Sequence, residues 1–484
     1  MDIELYNREI DFIFNRFPSF QKVGGSAYKP GLDTMEKLSS LLGMPHRKFL
    51  SVHVAGTNGK GSTSHMIASA LSMLVKSSGE RLKVGLYTSP HLTDFRERMK
   101  VSGGEQSALS GAVSFRMPSR DFVYSFLVRY KDDFLKTGAS FFEITTAMAF
   151  SWFATENVDI AVIECGLGGR LDATNILTPE LGIITNIGLD HCEYLGNTLA
   201  DVAKEKAGII KPFTPVVIGE RSGVADVFAL KAKECSAPIV FAEDFEPVSV
   251  KWPNSAVPDL KGDCQVKNIR TVVAAIETLL YGKREINCSG DIFEKLNLKR
   301  ENIQEKLLFG ICNAAGITGL HGRWEILGKV PFIVCDTGHN AHGFAVLGEQ
   351  IKRKASGVSE YTGREFERLI MFFGVVADKD LNSISSYLPE TDTSYTSSYT
   401  KDAYRGIQTV YYFVNAKGTR ALPAVKLQEK MKSLGFKGEV LVDSGDIKES
   451  LEYYMKNIKN DTDFVFIGGS TFVVAEALEY FKHM

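Results

Sequence analysis

The chain is short of the features that mark membrane, secreted or nucleic-acid-binding proteins. No uninterrupted apolar run reaches membrane-spanning length, so a spanning helix is not expected. Its seven cysteines are scattered from Cys165 to Cys335 without a C-x-x-C pair, which fits neither a disulfide framework nor a zinc site. A dominant charge is also missing: 56 basic against 58 acidic side chains leave a net charge of -2, which gives no electrostatic footprint for nucleic acid. The opening residues, MDIELYNREIDFIF, lack the basic segment and apolar core of a signal peptide. A cytoplasmic globular protein without membrane or nucleic-acid partners is the expectation.

What is present is enough chain for more than one core. At 484 residues, two or more domains are expected. The first half reads as short apolar strands, FLSVHVA (49–55), KVGLY (83–87), VDIAVIE (158–164), LGIITN (181–186) and PVVIG (215–219), each followed by a turn and a helical stretch. That alternation predicts an α/β fold with a mostly parallel sheet covered by helices. The second half repeats the pattern at 332–335, 368–376, 410–414, 439–443 and 463–468, which predicts a separate, smaller α/β domain. Gly-rich LFGICNAAGITGLHGRW (308–324) is taken as the linker, with domains at 1–317 and 318–484. The stretch 103–115 reads as a surface loop or hairpin insertion.

Four segments at strand ends carry the chemistry. HVAGTNGKGSTSH (53–65) follows an apolar strand and opens a helix, as a phosphate loop does, yet it departs from G-x-x-x-x-G-K-[ST] in spacing. Glycines there let backbone N–H groups converge on phosphate oxygens, Lys60 adds a charge, and Ser62 or Thr63 can face a metal. YTSPHL (87–92) offers Ser89 and His91 at the next strand end, or is simply a Ser-Pro turn. ECGLGGRLDATN (164–175) delivers Glu164 to the sheet edge, where a carboxylate suits magnesium or joins an ion pair. TNIGLDH (185–191) adds Asp190 and His191, and the following helical run holds Lys204, Lys206 and Lys211, among which spacing cannot choose. In the second half, DTGHNAH (336–342) and Arg323 are candidates; Asp336, His339 and Asn340 either serve a ribose, an amine or proton transfer, or cap the next helix.

The motifs GTNGKGS, YTSPHL, ECGLGGRLDATN, TNIGLDH, EKAGIIKP, GRWE and DTGHN, in this order, resemble the folylpolyglutamate synthase and dihydrofolate synthase family of the Mur ligase superfamily. The resemblance implies a P-loop-like ATPase domain followed by a smaller Rossmann-like domain. It implies that Asn58, Gly59, Lys60, Gly61 and Ser62 cradle ATP phosphates, with Asn268, Arg323 and Asp336 as further nucleotide contacts. Ser62, Ser89, Glu164 and His191 would hold Mg2+, Lys206 would be the carbamylated lysine of such enzymes, and Lys60, Lys206 and His339 would be catalytic. Asp33, Phe141, Phe142, Glu143, Leu171, Asp172 and Ala173 resemble a pterin-binding set of bifunctional bacterial members, although both phenylalanines also suit a core. The chain departs from the family's usual DGAHNP at Thr337 and lacks its proline, and 101–120 is longer than the family's connection.

The implied reaction activates a carboxylate with ATP as an acyl phosphate, which the amino group of L-glutamate then attacks. Dihydropteroate and reduced folates would be the acceptors, on a monomeric enzyme; a monofunctional synthase of either kind is the neighbouring reading. A cell-wall ligase would need a further domain before the loop, which only about 50 residues precede. A nucleotide-binding regulatory module would dispense with Glu164, His191 or Lys206, and all three are present.

Overall fold

The computed structural model describes residues 2–17, 29, 31–103, 113–253, 256–282, 291–391, 407–418 and 420–482. The chain divides into two compact units, Met1–Asp259 with Gln265–Leu320, and Leu260–Cys264 with His321–Met484. Each is built on its own sheet, and the α/β class expected from the alternating pattern is observed in both. No helix among the described residues is long and apolar enough to cross a membrane.

The strands of the first unit are β1 (Leu50–Ala55), β2 (Val84–Tyr87), β3 (Met99–Ser102), β4 (Phe115–Arg116), β5 (Ile160–Glu164), β6 (Leu181–Ile184), β7 (Val216–Ile218) and β8 (Ile239–Phe241). They lie in the order β4-β3-β2-β5-β1-β6-β7-β8. From β2 to β8 all neighbours are parallel, and β3 and β4 extend the β2 edge antiparallel. Strands covered on both faces need apolar side chains throughout, and β1 and β5 meet that need with Val52, Val54, Ile160, Val162 and Ile163, all fully buried. The segment expected as a hairpin insertion begins and ends in the β3–β4 pair; residues 104–112 lie outside the described residues.

From β1 the chain moves to β2 on one side, and from β5 it later crosses to β6 on the other. The reversal falls beside β1, and open α/β sheets bind ligands in the crevice that such a reversal leaves at the carboxyl ends of the strands. Register brings those ends level: Val54 is opposite Glu164, Ala55 opposite Ile184, and Tyr87 opposite Ile163. The turns carrying the first-unit motifs therefore open along one edge.

Behind that edge, the helix Lys60–Ser72 is buried from Ser62 to Ser72. Its small residues permit this. A Cβ added at Gly310, in the helix Ile303–Cys312, would lie 2.6 Å from Ala70 Cα, and Ser69 Oγ donates to the Gly310 carbonyl at 2.7 Å. This contact narrows the reading of 308–324 as a linker: Ile303–Cys312 and Ala314–Thr318 are helices of the first unit, Gly310 serves close packing rather than flexibility, and the division between the units falls at Leu320/His321, within that stretch.

In the second unit the strands are β9 (Glu325–Gly328), β10 (Phe332–Asp336), β11 (Arg368–Phe373), β12 (Gln408–Phe413), β13 (Gly438–Glu439) and β14 (Asp463–Gly468), in the order β13-β12-β11-β14-β10-β9. Only β9 runs antiparallel, against β10. Of the apolar run expected as a strand at 439–443 only Glu439 is paired at this sheet edge, in the two-residue strand Gly438–Glu439. Phe332, Phe344, Phe373, Phe413 and Phe464 fill one core layer; full burial of such a side chain contributes roughly 1.5–3 kcal/mol.

Candidate active site

The loop after β1 is shaped by two glycines that nothing else could replace. Gly56 has φ +146°, and a Cβ there would sit 1.8 Å from Thr185 Oγ1; Gly59 has φ +79°, and its Cβ would sit 2.3 Å from Asn268 Oδ1. The loop is thus pressed against the end of β6 and the helix Gln265–Tyr281. Gly59 caps the helix Lys60–Ser72 without a side-chain hydrogen bond, and the intrahelical ladder begins with Thr63 N–H on Gly59 O at 2.9 Å. First-turn N–H groups of this kind, with the positive end of the helix dipole, form an anion-binding surface.

The end of β6 braces the loop. Thr57 N–H donates to Asn186 O at 3.0 Å, Asn58 N–H to Asn186 Oδ1 at 2.9 Å, and Thr185 Oγ1 to Asn58 O at 2.6 Å. The Thr57 hydroxyl donates to Gly188 O at 3.1 Å and accepts from Gly188 N–H at 2.9 Å. Sequence reasoning gave TNIGLDH only Asp190 and His191. The bracing by Thr185 and Asn186 was missed, although their place directly after a strand was its signal.

Two lysines meet at one carbonyl. Lys60 Nζ donates to Gly56 O at 3.0 Å and to Thr57 O at 3.2 Å, while Lys206 Nζ, deeply buried, donates to the same Gly56 O at 2.9 Å. Burial first, and the neighbouring Lys60 charge second, pull the Lys206 pKa from 10.5 down to about 7. Of Lys204, Lys206 and Lys211, only Lys206 reaches the loop. Lys204 faces Asp201 on the surface, and Lys211 donates to Asn175 O at 2.8 Å.

Glu164, buried at the end of β5, accepts from Ser89 N–H at 3.1 Å. Ser62 Oγ accepts from Gln265 Nε2 at 3.2 Å, and Asn268 Nδ2 donates to Gln265 Oε1 at 2.9 Å, so Ser62 and Asn268 are joined through Gln265. His191 has a left-handed backbone, φ +54°, with its N–H on Asp190 Oδ1 at 3.0 Å. Among the described residues no three His, Cys, Asp or Glu side chains form a metal cage. A single strand-terminal carboxylate, here Glu164, is instead the kind of donor that suits a hard cation completed by phosphates and water. His91 does not stand as a phosphate donor on the side toward Arg98: its Nδ1 accepts from Arg98 Nε at 2.8 Å, and burial holds its pKa well below the ordinary histidine range.

The segments expected at a pterin site come together in part. The missing Cβ of Gly166 would lie 2.6 Å from the Phe142 ring, so the segments SFFE (140–143) and ECGLGGRLDATN (164–175) touch there. Phe141 is core, with its ring centroid 4.6 Å from that of Phe14 and the Arg98 guanidinium 5.2 Å from its own. Glu143 closes a capping box at the start of the helix Phe141–Thr155: its Oε2 accepts from Ser140 N–H at 2.7 Å, and its buried Oε1 has no hydrogen-bond partner. Asp172 organises its own loop, with Oδ2 accepting from Gly166 and Leu167 N–H at 2.9 Å each, and Oδ1 from Thr174 N–H and Oγ1. Leu171 is half-buried and Ala173 buried on either side of it. Asp33 is exposed on the first turn of Asp33–Leu41. Thr174 Oγ1 also lies 2.8 Å from Nε2 of the buried His53, whose pKa burial lowers to about 3.

In the second unit, Asp336 ties two turns: Oδ2 accepts from Trp324 N–H at 2.8 Å and Oδ1 from Gly338 N–H at 2.7 Å. Burial raises its pKa, against the pull of Arg323. His339 Nδ1 lies 3.0 Å from Thr337 O. Asn340 is a helix cap, its Oδ1 accepting from Gly343 N–H at 2.8 Å ahead of Ala341–Ala355.

The Mur ligase middle domain model matches residues 122–286. A dihydrofolate synthase/folylpolyglutamate synthase of Bacillus subtilis is 33% identical over 365 residues, covering 72% of this chain and 76% of that protein. A probable bifunctional folylpolyglutamate synthase/dihydropteroate synthase of Haloferax volcanii is 29% identical over 487 residues, covering 98% of this chain and 50% of that protein. The chain thus spans about half the length of the Haloferax relative. E. coli FolC in complex with DHPP and ADP superposes with a TM-score of 0.71 at 22% identity, over 99% of this chain and 98% of that one. A bifunctional folylpolyglutamate synthase/dihydrofolate synthase with Mn, AMPPNP and L-glutamate bound does so with a TM-score of 0.71 at 21% identity and the same coverage. At those identities the two structures establish the fold.

Proposed function

This chain belongs to the folylpolyglutamate synthase/dihydrofolate synthase family, and from that premise we propose that it is an ATP-dependent ligase joining L-glutamate to dihydropteroate and to reduced folates. The observation that carries the reading is the glycine-shaped loop at the sheet's carboxyl edge, with Lys60 and Lys206 converging on it beside the strand-terminal Glu164. The relatives' names and the ligands of the two solved structures support the choice of substrates. By sequence the ATP and folate roles go to 1–317 and the glutamate-ligase role to 318–484. A monomer in the cytoplasm is proposed with it, and the free cysteines fit a reducing compartment.

A carboxylate is a poor acylating agent, so its oxygen attacks the γ-phosphorus of ATP, ADP leaves, and an acyl phosphate forms. The glutamate amine then attacks that carbonyl carbon, loses a proton and expels phosphate. Asn58 to Ser62 hold the phosphates through first-turn N–H groups, and Lys60 leaves its carbonyl partners to meet the transferring phosphoryl group, where charge builds up. Magnesium, when bound, supplies counter-charge to the phosphates; Glu164, Ser62, Ser89 and His191 are the residues proposed to hold it. Asn268 is a proposed nucleotide contact, as are Arg323 and Asp336 in the second unit, where His339 is a proposed catalytic group. For the folate, Asp33, Phe142, Leu171 and Ala173 are proposed contacts. Phe141, Glu143 and Asp172 act by shaping the same segments.

Lys206 is proposed to be carbamylated. Its neutral amine, well populated near pH 7, adds to the carbon of CO2 and releases a proton, which replaces a second cation at Gly56 O by an anion. Intact mass of the native protein, with and without added bicarbonate, tests this: no increment of one CO2 in either sample refutes it.

The activity test is ADP release by the purified protein with glutamate plus either dihydropteroate or tetrahydrofolate. Turnover with both is expected. Turnover with one alone makes the enzyme monofunctional, and glutamate-independent ATP binding without turnover points to a regulatory module.

A further inference from the structure

Thr337 is where DTGHN departs from the family's usual glycine, and its side chain has a definite occupation. Its backbone N–H donates to Gly322 O at 3.0 Å, and its buried hydroxyl donates to the same oxygen at 3.1 Å. Arg323 Nη1 donates to that carbonyl too, at 3.1 Å, and also to Thr337 Oγ1. The hydroxyl can give its one proton to Gly322 O and keep lone pairs for the guanidinium, so it is donor to the turn and acceptor from the arginine.

The turn that presents Arg323 is fixed from three more directions. Gly322 has φ +71° and Trp324 φ +47°; Gly322 N–H donates to Glu325 Oε2 at 2.6 Å, and Trp324 N–H to Asp336 Oδ2 at 2.8 Å. With the backbone so held, the variable left is the long arginine side chain, whose rotamer freedom would otherwise be lost only on binding. Among the described residues Thr337 is the one side chain hydrogen-bonded to Arg323.

We propose that Thr337 is a positioning residue, holding the Arg323 guanidinium preordered for the nucleotide, a role that rests on Arg323 being a nucleotide contact. A hydroxyl at this position then strengthens nucleotide binding without touching the reacting atoms.

The experiment measures ATP affinity by calorimetry on the full chain, alongside KM for ATP and kcat. The proteins are the wild type, Thr337→Val, Thr337→Ala, Thr337→Ser, Arg323→Ala and the double variant Thr337→Val/Arg323→Ala. Loss of a hydrogen bond to a charged group predicts about tenfold weaker ATP binding in Thr337→Val and Thr337→Ala, with kcat within about twofold. Thr337→Ser should restore affinity, and the double variant should be no weaker than Arg323→Ala alone. Full affinity in both Thr337→Val and Thr337→Ala, while Arg323→Ala binds weakly, overturns the positioning role and leaves Arg323's role intact. Full affinity in Arg323→Ala refutes Arg323 as a contact and removes the proposal's premise. Additive losses in the double variant also overturn it, since Thr337 would then act independently of the arginine. Melting temperatures identify any variant that fails to fold, and the other Thr337 replacement then decides.

Discussion

Two strand-to-helix turns, one in each unit, reach a fixed shape by opposite means. The turn from Ala55 to Lys60 is defined by side chains that are missing: Gly56 and Gly59 let Thr185 and Asn268 come closer than any Cβ would allow. The turn from Asp336 to Ala341 is defined by side chains that are present, with Asp336, Thr337 and Asn340 each spending polar atoms on backbone groups. The first design leaves helix N–H groups facing outward for a ligand; the second uses up its donors internally and presents a charged side chain instead. Backbone recognition suits a phosphate, and a held guanidinium suits a finer contact.

The largest effect should come from filling the first turn. Gly56→Ala puts a methyl group into Thr185 at a φ that L residues rarely adopt, so ADP release should fall about a thousandfold or more, with a stability loss of about 1–3 kcal/mol. Wild-type turnover in that variant would break the contrast outright. Lys206→Met should lower kcat roughly 100-fold, as loss of one charge-stabilising group does.

In protein kept free of CO2, where Lys206 is the unmodified amine, it also sets a pH dependence that sharpens the comparison. Its folded pKa, about 7, lies below the ordinary 10.5, so between those values the unfolded state holds the extra proton. Its contribution therefore makes stability rise with pH from about 7 upward, by at most about 1.4 kcal/mol per pH unit, and it is flat below that window. Chemical denaturation of wild type and Lys206→Met at pH 7, 8 and 9 checks the sign: the variant should lack this rise, and parallel curves would count against the buried lysine.

Smaller losses are expected in the second turn, where several bonds share the load. Asp336→Asn turns one acceptor into a donor facing Trp324 or Gly338 N–H, and denaturant unfolding should show a loss of about 1–3 kcal/mol. Asn340→Ala removes a helix cap and should cost about 1 kcal/mol, with Asn340→Asp close to wild type. If Asp336→Asn is neutral, the second turn is not built by its side chains.

The same contrast decides what could be read in the sequence. Glycines around a lysine after an apolar strand are rare enough to announce themselves, and the strand-end positions of Lys60, Ser89 and Glu164 are legible because the strands leading to them are continuous apolar runs. Asp, Asn and Thr occur in turns everywhere, so whether Asp336 and Asn340 act or cap could not be told until the bonds of Asp336 to two backbone N–H groups were seen. Lys206 stood among three lysines; only tertiary packing, which brings its amine to Gly56 O, separates it from Lys204 and Lys211. The short edge strands β4, β8, β9 and β13 were missed or misjudged because two to four residues carry too little period to register. Ser140 and Glu143 spell a capping box, yet beside two phenylalanines Glu143 reads as part of a ligand-binding set.

The helix behind the phosphate loop has a further meaning for inheritance. From Ser62 to Ser72 no residue is exposed, and a neighbouring helix rests on Ala70 through a glycine. A lineage carrying this fold can exchange almost nothing along that helix, whichever acid it ligates. Invariance there among descendants would record crowding, and would say little about chemistry beyond its first turn.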